Sequence, residues 1–93
     1  MEDLIQKSDL IQKLDAVLRS HFPGAKPELE PLPPLPKVTG LVSWDGFEGQ
    51  DQVDRQHNVW NVIREAIPAE EQRWISVILT VTPGELAYMR EQN

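Results

Sequence analysis

Ninety-three residues carry nine Lys and Arg against fifteen Asp and Glu, a net charge of −6. They make one small domain over 1–93, and that charge balance argues against tight nonspecific binding to phosphate backbones. There is no cysteine, which removes disulfides, thiolate nucleophiles, cysteine zinc sites and self-ligated iron–sulfur clusters together.

No run of about 18 apolar residues exists, so no membrane span is expected. The opening MEDLIQKSD is acidic and polar where a secretory signal is basic and then apolar. The expected location is cytoplasmic, with no membrane contact.

Residues 8–21 have the helical period. Leu10, Ile11, Leu14, Val17 and Leu18 share a stripe opposite Lys13, Asp15 and Arg19. Ser8 is the expected N-cap, and 2–7 can extend the helix because Leu4 continues the stripe. DLIQK recurs at a spacing of six, which matches no helical period and is read as chance. Phe22-Pro23-Gly24 stops the helix.

Residues 25–37 hold five prolines, and the 27–36 stretch reads as a stiff connection. Two alternatives stay open there: a short edge strand over 28–32, since proline is tolerated at edges, and a polyproline II ligand in PLPPLP. Residues 37–44 read as a strand in which Gly40 marks a bulge or an irregular start. After a turn at 45–49 comes a helix over 50–67. Its expected stripe is Val53, Trp60, Ile63 and Ile67, widened by Val59, Val62 and Ala66, with Asp51 placed to pair with Arg55.

A polar connection at PAEEQ leads to the strand 73–81, whose near-continuous apolar run suggests burial on both faces or a central place in the sheet. Thr82-Pro83-Gly84-Glu85 is a capping box that opens a last short helix over 83–90. The expected fold is α/β (α+β), a small two-layer sandwich in αββαβ(α) order. A three-stranded mixed sheet is covered by helices, with a right-handed crossover between the parallel strands.

Within 43–60, Gly46-Phe47-Glu48-Gly49 is formally a GxxG loop ahead of a helix, a form that phosphate-binding loops use. Asp45, Glu48, Asp51 and Asp54 would repel phosphate there, so the glycines read as turn residues. The same four acids lack the spacing of a calcium loop and suit a helix start. His57 has no Ser, Cys or paired acid at a catalytic spacing, and His21 sits at a helix C-terminus. No catalytic, metal or cofactor-binding residue is assigned, and no enzyme activity is expected. Of the three tryptophans, Trp60 lies on the helix stripe, while Trp44 and Trp74 lie near strand ends and suit a partner surface.

Phe47-Glu48-Gly49, then Val53, Arg55, Val59 and Trp60, then Thr82-Pro83 and Glu85, together with the Phe22-Pro23-Gly24 helix exit, resemble the BolA family pattern over nearly the whole chain. The resemblance implies a class II KH-type domain without enzymatic activity. It also implies association with monothiol glutaredoxins, shared [2Fe–2S] clusters and regulation.

The sequence departs from that pattern at three places. Gln56 stands where the family has a helix histidine, with His57 one place later, and Trp74 stands at the cluster-ligand histidine. The loop between the first two strands has neither His nor Cys. A tryptophan cannot ligate iron.

The resemblance therefore implies a protein-interaction module that supplies no cluster ligand. Its partner would be a protein, a monothiol glutaredoxin by resemblance, met by Trp44, Phe47, Arg55, His57 and Trp74. The alternative is a KH-like nucleic-acid binder, which the acidic turn and the scattered basic residues disfavour.

Overall fold

A computed structural model describes residues 2–92, with side chains described from Asp9 onward. The elements run α1 (Glu2–His21), β1 (Lys26–Pro31), β2 (Val38–Ser43), a 3₁₀ turn (Asp45–Phe47), α2 (Gln52–Ala66), α3 (Ala69–Gln72), β3 (Ile75–Val81) and α4 (Pro83–Glu91). Helix α1 begins well before Ser8, which is an interior residue and not its cap. No Pro or Gly stands in 2–7 to stop the helix from extending toward the N-terminus. The expected polar connection after α2 contains the short helix α3, tied to α1 by Lys13–Glu71 at 2.9 Å.

The sheet order is β1-β2-β3, antiparallel between β1 and β2 and parallel between β2 and β3. The central strand is therefore β2. The apolar run of β3 lies at an edge, with Val77 and Leu79 exposed, and is not buried on both faces. A proline-bearing strand at the other edge is real, and it begins two residues before 28.

From Val38 to Gly40 on β2 the register advances two positions, while on β3 it advances three, from Ile75 to Ile78. The irregularity expected at Gly40 is present, with the extra residue on β3. Gly40 has φ +157°, and a Cβ there would run into the carbonyl oxygen of Glu28 and stand 2.9 Å from Leu29 Cα. Only glycine lets β1 approach β2 so closely.

Helices α1 and α2 cover one face of the sheet. Leu10, Leu14 and Leu18 from α1, and Val59, Ile63 and Ile67 from α2 and its cap, pack on Val38, Val42, Ile75 and Ile78. Each fully buried aliphatic side chain contributes roughly 1.5–3 kcal/mol. On the second face, helix α4 reaches back so that Arg90 pairs with Glu28 on β1. Among the described residues no helix is long and apolar enough to cross a membrane.

Both outer edges of the sheet are chemically occupied. Leu32 N–H donates to Lys37 O, so even-numbered residues of β1 point their peptide groups at β2 and odd-numbered ones point outward. Pro27 and Pro31 fall on the outward set and have no N–H. On β3 the outward carbonyls of Ile78 and Thr80 accept bonds from α2: Gln56 Nε2 to Ile78 O at 2.8 Å, and Gln52 Nε2 to Thr80 O at 3.0 Å.

Candidate functional site

The motif residues gather at one end of the molecule. The turn after β2 brings Phe47 into the core, fully buried, where its ring meets Trp44 edge-on with centroids 5.2 Å apart. Phe22 packs on Trp44 at 4.9 Å, and the Trp44 indole N–H donates to Pro23 O at 2.8 Å. Gly49 takes φ +84°, the left-handed conformation that favours glycine. Asp51 then caps α2 by accepting from Asp54 N–H at 2.9 Å.

Arg55 joins this turn to the end of the chain. Its guanidinium is buried and lies 5.8 Å from the Phe47 ring centroid. Nε donates to Gln50 O at 2.9 Å, and the fork grips Glu85 at 2.7 and 3.2 Å. Glu85 in turn accepts from Thr82 N–H, while Thr82 Oγ1 accepts from Glu85 N–H, completing the capping box of α4. The bonds from Arg55 and from the Thr82 backbone hold the Glu85 carboxyl below the usual carboxylate range. The same pairing with Glu85 raises the Arg55 pKa above its ordinary value. Arg55 pairs with Glu85 and not with Asp51, because Asp51 is engaged at the cap while Glu85 presents both oxygens to the fork.

The opposite end is built differently. The loop 32–37 closes β1 onto β2, and Val38 N–H donates to Trp74 O at 2.8 Å, so the proline loop and the head of β3 lie side by side. Trp74 is 39% exposed, with the Arg73 guanidinium 5.6 Å from its ring centroid, and Leu35 at the loop is exposed as well. Between them these two segments hold Trp74 and no His or Cys. Among the described residues no group of three or more His, Cys, Asp or Glu is placed to hold a metal ion.

Of the five residues expected at a partner surface, only His57 and Trp74 are exposed. Phe47 and Arg55 are buried, because the turn folds the ring inward and the guanidinium is consumed by Glu85 and two backbone carbonyls. Trp44 is half-buried under its aromatic partners and its bond to Pro23. Exposed His57 follows Gln56, whose amide sits at Ile78, so it stands along β3 and not at its head.

Val53 is 62% exposed and lies off the buried stripe, which starts with Arg55 and runs through Val59 and Ile63 to Ile67. Exposed Ala66 does not widen it, whereas Trp60 and Val62 pack on its flank. Reading residue types alone missed Gln52, Gln56 and Thr80, which bond one another at 2.9 to 3.1 Å. The signal for them was two glutamines one turn apart, beside an arginine on the same helix face.

No protein-family model matches the chain, and no curated protein does. Among solved structures, that of a Bol-like protein from Babesia bovis superposes with a TM-score of 0.53 at 23% identity, covering 85% of this chain and 91% of that one. The likeness is one of fold.

Proposed function

We propose that this chain, which has a BolA-like fold, is a non-catalytic, cytoplasmic protein-interaction module of regulatory type that docks a monothiol glutaredoxin through the head of β3 without offering the shared cluster a ligand. The observation that carries the reading is Trp74, exposed beside the 32–37 loop where the resemblance expects a histidine. A large exposed ring suits an apolar contact, and tryptophan is enriched where interfaces concentrate their binding energy.

The test mixes the chain with a monothiol glutaredoxin carrying a reconstituted [2Fe–2S] cluster. A complex is expected that keeps the spectrum of the glutaredoxin's own cluster, and Trp74→Ala should weaken it at least about tenfold. A histidine-ligated spectrum that disappears on His57→Ala would overturn the reading. So would sub-micromolar, sequence-selective binding to short DNA or RNA at moderate salt, which would make the chain a nucleic-acid binder.

A further inference from the structure

The second face of the sheet carries an apolar strip. Leu41 and Leu79 stand in one cross-strand row with Glu28, and Ser43 and Val81 stand in the next with Lys26. Thr39, opposite Glu30, donates to Val77 O at 2.9 Å and places Val77 beside them. Val77 is 58% exposed and Leu79 46%. At its Val81 end the strip opens into a depression between the start of α2 and α4, where Tyr88 and Met89 are exposed as well.

Carboxylates border the strip on two sides. Glu30 stands on the β1 side and Glu48 lines the depression, where the charge of Glu85 is already neutralised by Arg55. Arg55 lies behind Glu85 and is buried, so its charge is turned inward and is consumed there. The basic groups of this face are Lys26, on the β1 edge of the Val81 row and two strands from Val81, and Arg90, which Glu28 holds at 2.6 Å. A second copy would bring like charges together, and each copy carries −6. A basic partner would meet complementary charge and cover the aliphatic strip at once.

We infer that the strip of Val77, Leu79, Tyr88 and Met89 is a docking surface for a basic amphipathic segment of a partner protein, its apolar side chains on the strip and its Lys or Arg residues over Glu30 and Glu48. This surface is separate from the head of β3 and does not depend on the glutaredoxin reading. The probe is a synthetic Lys/Leu amphipathic helix of roughly four turns, compared with a Glu/Leu peptide of the same pattern.

Amide and methyl resonances of the full chain are followed during titration. The Lys/Leu peptide should shift signals of Val77, Leu79, Tyr88 and Met89, with affinity falling as salt rises. Val77→Thr with Leu79→Thr keeps strand propensity at two exposed positions and should cost at least about tenfold in affinity. Glu30→Gln with Glu48→Gln should flatten the salt dependence. Equal binding of the Glu/Leu peptide, shifts confined to another face, or full affinity in the double threonine variant would each overturn the inference. Dimerisation of the chain through this face would overturn it too, by making a second copy the occupant.

Discussion

The two ends of the sheet are built on opposite principles. At the turn end, Phe47, Arg55, Thr82 and Glu85 are tied by a bidentate ion pair, a capping box and three packed aromatic rings. At the loop end, Trp74 and Leu35 are exposed, and one backbone bond joins Val38 to Trp74. Of the residues that carry the family resemblance, Phe47, Arg55, Thr82 and Glu85 are held by partners inside the chain, whereas Glu48 and Val53 are exposed. The four held residues say how the chain folds and little about what it meets, because groups already paired internally have little left to offer a partner. The informative departure falls at the end where side chains are free.

Substitutions can break that contrast, and the largest effect belongs to the turn. Phe47→Ala removes a fully buried ring and should cost about 4 kcal/mol, read as a fall in urea midpoint. In a domain of this size that approaches the whole of the stability. Arg55→Ala takes the guanidinium from the Gln50 carbonyl and the Glu85 carboxylate, while Thr80 O keeps Gln52, and should cost about 2 kcal/mol; Arg55→Lys should restore only part because a point charge cannot reproduce the fork.

The same pair predicts a pH response. Glu85 is lowered in the folded state, so its contribution is present above the unfolded carboxylate range and is lost as pH falls through the folded value. The stability gap between parent and Arg55→Ala should therefore narrow in acid and stay constant around neutrality. Thr82→Ala removes the cap of α4 and should cost about 1 kcal/mol. Trp74→Ala closes the series. It should change stability by less than about 0.5 kcal/mol while weakening the proposed glutaredoxin complex, and a large loss of stability there would erase the contrast between the ends.

Element order was legible because helical and strand periods are local properties. The helix stripe from Leu10 to Leu18 and the capping box at Thr82 follow from neighbours within a few residues, and at Gly40 the glycine itself marked a break whose cause lies on β1 and β3. What could not be read depends on contacts across the chain. Arg55 is buried because Glu85, 30 residues later, neutralises it, and so the stripe of α2 starts on a charge while apolar Val53 faces water. An apolar run in β3 cannot reveal which strand lies beside it, so its edge position and the exposed Val77 and Leu79 appear only in the fold. Trp44 and Trp74 both sit at strand ends, yet the Phe22-Pro23 exit folds back over one of them and leaves the other uncovered. The four-residue α3 is too short to have a periodic signature.

The amides of Gln52 and Gln56 have a consequence for growth. Each presents to β3 the N–H that a fourth strand would bring, so the sheet ends at three strands by chemical substitution and not for lack of a neighbour. Replacing Gln56 with leucine would free the Ile78 carbonyl and restore an unpaired edge. At high concentration such a variant should assemble edge to edge, with the parent chain remaining dispersed under the same conditions.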